Sequence, residues 1–196
     1  MDSSTPCWKS ALLKPALAAL LALWLGLASA ASIETRQASL LNTEDGYSLS
    51  ADFTIDLGHR VEDALQHGIA LYFNLEFELT HSRWYWVNEP VVNRTITYRL
   101  SYTPLTRQYR LSTGALHRGF ESLDEALRAL GHIGSLPVIE RSLLKPGESY
   151  QAALRLSLDR NQLPRPFQLD LANRDWDVTA KVYRWQPALQ AGQEAR

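Results

Sequence analysis

The chain has 196 residues, 45% of them hydrophobic, and its 20 Lys and Arg residues nearly balance its 21 Asp and Glu residues. This balance gives no electrostatic reason to expect a nucleic-acid partner, and we expect none. The only cysteine is Cys7. A chain processed beyond that residue holds no disulfide, no thiolate metal site and no cysteine nucleophile.

The first thirty residues have the features of an export signal. Lys9 and Lys14 are positive, residues 16–27 are apolar, and Ala28-Ser29-Ala30 is a small-x-small cleavage site. A membrane-spanning helix needs about 20 apolar residues, so this shorter run favours cleavage after Ala30 over a retained anchor. We therefore expect a periplasmic or other extracytoplasmic mature protein.

Alternating apolar and polar residues predict strands through most of the remaining chain. The clearest strand covers residues 69–79, where every odd position is apolar while Asn74, Glu76 and Glu78 share the other face. A slip of one residue would bury two carboxylates, so the pattern predicts a single register. Weaker or similar patterns predict strands over residues 33–41, 47–57, 91–103, 109–111, 149–159 and 176–186.

Two short helices are predicted between these strands. The first covers residues 59–67 and ends at Gly68. The second covers residues 122–130, where Ser122 and Glu125 have the spacing of a capping box. Gly131 follows the second helix and predicts a left-handed helix end.

Seven or eight strands with two short helices predict a mainly β fold, an immunoglobulin-like antiparallel β-sandwich. We expect one such domain over residues 31–189, after a signal peptide (1–30) and before a flexible tail (190–196). No second apolar stretch is long enough to cross a bilayer, so we expect no stable membrane span in the mature chain.

Several segments resemble one known family. They are the helical segment 123–131, Leu136-Pro137-Val138-Ile139, the segment 171–176 and Tyr183-Arg184-Trp185. In this order they resemble exported proteobacterial proteins classed as a domain of unknown function (domain of unknown function 4390). The resemblance implies a neighbour, in gene order, of a membrane sensor histidine kinase. The resemblance implies a bacterial envelope setting and an envelope or membrane protein partner, and it implies no catalytic residues.

The chain lacks the motifs that usually mark an enzyme. It has no Gly-x-Ser-x-Gly elbow, no His-Glu-x-x-His helix and no phosphate-binding glycine loop. Its histidines do not have the spacing of metal ligands, and we interpret them as solvated or hydrogen-bonded side chains: His59, His67, His81, His117 and His132. We therefore expect no catalytic residue, no metal and no cofactor.

Two other patterns have competing explanations. Gly131-His132-Ile133-Gly134 is interpreted as a helix cap followed by a loop. The acid pairs Glu76/Glu78 and Asp175/Asp177 are compatible with a hydrolase, because residues i and i+2 of a strand point the same way. A polar sheet face explains Glu76 and Glu78 without catalysis.

Trp84-Tyr85-Trp86 is the candidate contact surface. It follows the clearest strand, at a point where the apolar positions shift from odd to even numbers, which indicates a bulge or a strand end. Two indoles and a phenol can stack on a sugar or a peptide, and Arg83 or Arg94 would add cationic contacts. Burial of both tryptophans in the core is the alternative, since tryptophan is highly buried on average.

Three functions are compatible with these observations. The first is a non-enzymatic interaction or accessory module in the envelope, linked to a membrane sensor kinase by the resemblance above. The second is a glycan- or peptide-binding β-sandwich that uses the aromatic segment. The third is a hydrolase that uses scattered carboxylates or histidines, which the absence of a nucleophile motif disfavours.

Overall fold

The alternation of apolar and polar residues produces two antiparallel sheets. The computed structural model describes residues 31–81, 89–145, 147–168 and 176–189. All of these residues lie in the second of the two units into which the chain divides, residues 31–196. The predicted fold class, mainly β with two antiparallel sheets and two short helices, is confirmed.

The described residues form nine strands. They are β1 (Ser32–Thr43), β2 (Gly46–Asp56), β3 (Leu71–His81), β4 (Glu89–Thr103), β5 (Gln108–Thr113), β6 (Leu116–Phe120), β7 (His132–Glu140), β8 (Tyr150–Leu158) and β9 (Tyr183–Trp185). The helices are α1 (Gly58–Gln66), α2 (Leu123–Gly131) and the four-residue α3 (Arg165–Gln168), with single 3-10 turns at Arg141–Leu143 and Arg160–Gln162.

Sheet A has the strand order β1-β2-β7, and sheet B has the order β6-β5-β4-β3-β8-β9. Strand β3 is central in sheet B, and its inner side chains are fully buried: Leu71, Phe73, Leu75, Phe77 and Leu79. Burial of each large apolar side chain contributes about 1.5–3 kcal/mol. Asn74, Glu76 and Glu78 lie on the outer face, so the predicted register of this strand is confirmed.

The two sheets are joined along one edge by residues 178–180. The Ala180 N–H donates to Leu156 O of β8 at 2.8 Å, and the Leu158 N–H donates to Val178 O at 2.8 Å. Ala180 also forms a parallel bridge with Ile33 of β1. This segment therefore covers part of the β8 edge and contacts sheet A, which reduces the length of unpaired strand edge.

The two nine-residue helices bury their predicted apolar residues. Helix α1 buries Val61, Ala64 and Leu65 and ends before Gly68, whose φ of 86° lies in the left-handed region. Helix α2 begins after Ser122, whose hydroxyl accepts a hydrogen bond from the Glu125 N–H at 3.3 Å. The predicted helix stop at Gly68 and the predicted cap at Ser122 are both confirmed.

The prediction of a left-handed end at Gly131 is wrong. Gly131 is the last residue of α2, and the chain passes directly into β7 through His132, which is extended (φ −102°, ψ 105°). A Cβ on Gly131 would lie 2.5 Å from Phe53 O. Glycine is required here because the helix end packs against the backbone of β2, and no side chain fits between them.

Strands β6 and β7 were not predicted. In β6 every residue except Phe120 is exposed, so the strand has no apolar alternation. In β7 the pattern is interrupted by Gly134 and Pro137, and proline removes a donor from a strand. Because β7 is an edge strand of sheet A, the proline is tolerated there.

The last predicted strand is shorter than expected. Only Tyr183–Trp185 forms β9, which pairs with β8 from Ala152 to Leu154. Val178 and Ala180 are buried as predicted, but Val182 is exposed. Trp185 packs against Phe77, with ring centroids 6.4 Å apart, so this tryptophan helps to cover the inner face of sheet B.

The close approach of α2 to β2 generates a prediction. Gly131→Ala should destabilise the fold by about 1–3 kcal/mol, because the new methyl group overlaps Phe53 O and the helix end has to move. Urea unfolding measures this change as a lower midpoint. Gly119→Ala in β6 is the control, since nothing lies within 4 Å of its Cβ position. Equal stability of the two variants would contradict the close approach.

Candidate functional site

The structure describes one of the five predicted contact residues. Arg94 lies on β4 opposite the buried Phe77, and its side chain is exposed. Its register is that of the core-facing residues of β4, so Arg94 does not belong to the polar outer face of sheet B. The aromatic platform stays a prediction because the other four residues lie outside the described ranges: Arg83, Trp84, Tyr85 and Trp86.

A groove of about 780 Å³ lies between α2 and the strands β1 and β2. We call it the α2–β2 groove. Its helical wall consists of Asp124, Leu127, Arg128 and Gly131, whose spacing of three, four and seven residues places them on one helix face. Its strand wall includes Arg36, Gln37, Asp52 and Thr54.

Three polar residues lie side by side across sheet A. Asp52 of β2 is the register partner of Gln37 in β1 and of His132 in β7. The Gln37 Nε2 donates to Asp52 Oδ2 at 2.6 Å, and His132 Nδ1 lies 2.7 Å from Asp52 Oδ1. The Asp52 side chain is 33% exposed and that of His132 is 67% exposed, so the group is open to solvent at the groove.

These contacts change the acidity of Asp52. The hydrogen bond from His132, followed by the one from Gln37, holds the pKa of Asp52 below its ordinary value. Partial burial acts in the opposite direction, and the charge of His132 adds to the lowering. The lowered pKa favours the carboxylate form of Asp52, and the contact between Asp52 and Nδ1 orients the His132 ring.

An oriented histidine is also the arrangement of a general base. His132 Nε2 lies 3.7 Å from the position that a Cβ would occupy on Gly134, so the ring extends along β7. Among the described residues, no hydroxyl or thiol hydrogen-bonds to Nε2. The described part of the chain thus supplies a base and a group that orients it, without a nucleophile in contact.

Two arginines face the groove from opposite walls. Arg36 is the extra residue at a bulge in β1, where the register shifts between Thr35 and Gln37, and its Nε–H donates to the Thr54 hydroxyl. The Arg128 Nε–H donates to Asp124 O at 3.2 Å. Within the described ranges neither guanidinium forms an ion pair with a carboxylate, so their terminal nitrogens can bind an anion.

Of the two acid pairs, Glu76/Glu78 lies within the described residues, and Asp175/Asp177 does so only in part. Arg155 binds Glu76 through Nε at 2.8 Å and through Nη2 at 2.5 Å, so Glu76 lies in an ion pair on the outer face of sheet B. Asp177 accepts a hydrogen bond from the Thr179 hydroxyl at 3.2 Å, and Asp175 lies outside the described residues.

A smaller cluster lies at the end of β3. His81 contacts Glu148, its ring lies 5.7 Å from that of Tyr150, and the Tyr150 hydroxyl accepts a hydrogen bond from the Lys145 N–H at 2.8 Å. The cavity beside these residues has a volume of only about 170 Å³. We interpret the cluster as a bond network that holds the loop after β7 against β3 and β8.

No group of three or more His, Cys, Asp or Glu side chains that could hold a metal ion occurs in the described residues. The helices of the same residues include none that is both long and apolar enough to cross a membrane.

Sequence analysis missed the Gln37, Asp52 and His132 group. Asp52 and His132 are 80 residues apart, so no local spacing connects them. The only signal was the Gly131-His132-Ile133-Gly134 segment, which was interpreted as a cap and a loop. That interpretation is wrong, because His132 begins β7.

The lowered pKa of Asp52 generates a prediction. A carboxyl group whose pKa is lower in the folded state than in the unfolded state stabilises the fold above about pH 3.9, and this contribution is lost as the pH falls through the lowered value. Asp52→Asn should therefore be less stable than the native protein at pH 6, and the difference should shrink below pH 4. Urea midpoints over this pH range measure it.

The control for this series is Glu121→Gln, because Glu121 is exposed and forms no ion pair with any described residue. The urea midpoint of Glu121→Gln should stay close to that of the native protein at every pH of the series. If the difference in stability between Asp52→Asn and the native protein does not change with pH, this result would contradict the assignment of the His132 and Gln37 contacts to Asp52.

Comparison with known proteins identifies the family. Residues 30–186 match the model of a family described as a domain of unknown function (DUF4390). No curated protein and no solved structure matches the chain. The match covers most of the chain and confirms the family predicted from its segments, so the chain belongs to the DUF4390 family.

Proposed function

We propose that the protein is exported and acts as a non-enzymatic interaction module that binds an acidic, extended segment of an envelope protein in the α2–β2 groove. The observation that carries this proposal is the placement of Arg36 and Arg128 on opposite walls of the groove. A segment lying between the walls would contact both guanidinium groups.

The groove has charges of both signs, with Arg36 and Arg128 beside Asp52 and Asp124, and its two arginines are the groups that a negatively charged segment would contact. Asp52 accepts hydrogen bonds from His132 and Gln37, whereas Arg36 and Arg128 use only their Nε–H groups in the bonds described above. Guanidinium groups bind carboxylates through two parallel hydrogen bonds, which gives both affinity and orientation. Glutamate or aspartate side chains of a partner fit this arrangement.

The size of the groove favours a partner segment that enters it over a partner that lies against a flat surface. Its volume of about 780 Å³ lies within the range of about 300–1,000 Å³ that is typical of ligand sites. A helix face opposite strand side chains forms a channel in which an extended segment can lie. The family resemblance points to the extracytoplasmic part of a membrane sensor protein as the class of partner.

Export is supported by the leader described above. Lys9 and Lys14 precede an apolar run that ends at Ala28-Ser29-Ala30, and the family match begins at residue 30. The part of the chain after that point contains no cysteine, which suits an oxidising compartment.

A binding assay tests the groove. A fluorescein-labelled hexaglutamate peptide should bind the native protein more tightly than a hexalysine peptide does, by fluorescence anisotropy. Arg36→Gln with Arg128→Gln should weaken hexaglutamate binding at least tenfold, since hydrogen bonds to charged groups contribute about 1.5–3 kcal/mol.

Arg165→Gln with Arg184→Gln is the charge-matched control, because both residues are exposed and lie outside the groove. It should leave binding unchanged. Equal binding of the two peptides, or full hexaglutamate binding by the groove variant, would reject the groove as the binding site.

A hydrolase is the second candidate, favoured by the 2.7 Å contact between His132 and Asp52. Purified protein should hydrolyse neither ester substrates nor peptidoglycan if the interaction proposal is correct. Hydrolysis that His132→Ala abolishes, while the Arg36 and Arg128 variants retain it, would instead support catalysis by this pair.

The export proposal has its own test. Mass spectrometry of the protein from a periplasmic fraction should find an N-terminus at Ala31. Ala30→Lys should block this processing, because the cleavage site requires small residues. A protein that stays in the cytosol with residues 1–30 intact would contradict export without affecting the peptide-binding result.

A further inference from the structure

A second concave surface lies on the outer face of sheet B and is formed mainly by residues of β3, β4, β5 and β6. Cross-strand register places Arg99 beside Tyr72 and Ser112, and Ser112 beside His117. These residues line a depression of about 430 Å³ together with Arg110. We call this surface the arginine face.

The residues that line the arginine face include positive side chains and no carboxylate to compensate their charge. They include Arg99, Arg110 and His117. In the part of the chain that the structure describes, neither Arg99 nor Arg110 forms an ion pair. Of the acids on the same outer face, Glu76 is bound by Arg155, and Glu78 lies two residues further along β3, opposite Asn93 and Ala153. The positive charge of this half of the sheet is therefore available to an anion.

The two arginines lie close together on neighbouring strands. Arg99 pairs with Ser112 and Arg110 pairs with Ser101, so the two arginines are diagonal neighbours, with roughly 7–8 Å between their Cα atoms. The Arg99 guanidinium lies over the Tyr72 ring, 5.9 Å from its centroid, which restricts its position. Hydroxyl groups of Thr97 and Ser112 line the same depression.

An exposed leucine indicates which kind of anion this surface takes. Leu116 is the first residue of the edge strand β6, where it pairs with Thr113; it is among the residues that line the depression, and it is 78% exposed. A free phosphate ion would contact the arginines alone. A lipid surface would contact the arginines through its headgroup phosphates and the leucine through the edge of its apolar layer.

We propose that the arginine face docks the domain on a membrane surface that carries anionic lipid phosphates, with Leu116 at the boundary between headgroups and acyl chains. The arginines supply the attraction, which salt weakens, and the leucine supplies apolar burial. This site does not depend on the α2–β2 groove, whose residues belong to sheet A and α2.

Co-sedimentation with vesicles tests the proposal. The native protein should bind vesicles of phosphatidylcholine mixed with phosphatidylglycerol and should bind pure phosphatidylcholine far less. Arg99→Gln with Arg110→Gln should lower the binding constant by more than tenfold, and Leu116→Ser should lower it several-fold. Added salt should weaken the native protein's binding and have little further effect on the arginine variant.

Matched controls separate this surface from general charge and from the apolar leader. Arg165→Gln with Arg184→Gln removes the same charge elsewhere, and Leu105→Ser changes a leucine that is 94% exposed in another turn. Both controls should bind like the native protein. Mass spectrometry verifies that all proteins carry the same N-terminus, and circular dichroism verifies that each is folded.

Three results would overturn the proposal. One is equal binding to the two kinds of vesicle, and another is native binding by the Arg99 and Arg110 variant. The third is titration with inorganic phosphate that reveals binding dependent on the same arginines, with vesicle binding unaffected by them. That result would assign the face to a soluble anion.

Discussion

The burial of the inner face of sheet B is the interaction on which the rest of the structure depends. Five alternate side chains of β3 are fully buried, and β3 pairs with β4 on one side and β8 on the other. A chain with a single cysteine cannot form an internal disulfide, so apolar burial has to supply the stability that small exported domains often obtain from cross-links. Sheet A, α1 and α2 contribute their own apolar residues to the same core.

The same burial determines the outer surfaces. Because side chains alternate along a strand, fixing Phe73 and Leu75 inward places Tyr72 and Glu76 outward, and pairing then places Arg99 and Arg155 beside them. The outer face of sheet B thus divides into a half where Glu76 and Arg155 neutralise one another and a half where Arg99 and Arg110 have no described carboxylate partner. The second half is the arginine face.

The groove has a different origin, in the way that α2 meets sheet A. The chain leaves α2 at Gly131 and enters β7 at the next residue, which brings His132 beside Asp52. The bulge leaves Arg36 without a register partner on β2, and Arg36 lines the groove. The groove is lined by residues of sheet A and α2, whereas the arginine face is lined by residues of sheet B.

Local pattern was sufficient to predict those elements in which the buried face is apolar and continuous. Three kinds of feature were predictable, because each depends on residues within one segment. They are the register of β3, the apolar faces of β2, β4 and β8, and the cap at Ser122. Strand β7 was not predictable in this way. Pro137 and Gly134 break its pattern, and it forms a strand because pairing with β2 at a sheet edge tolerates them.

What the sequence by itself determined is the mainly β class, the family and the alternation that sets each face. Tertiary structure alone decided the candidate sites. Asp52 and His132, 80 residues apart, meet only because α2 runs into an edge strand, and Arg36 and Arg128 face one another only because that helix packs on β2. Periodicity reports which side of an element is buried, whereas the convergence of polar side chains depends on strand order and helix docking, which no local spacing records.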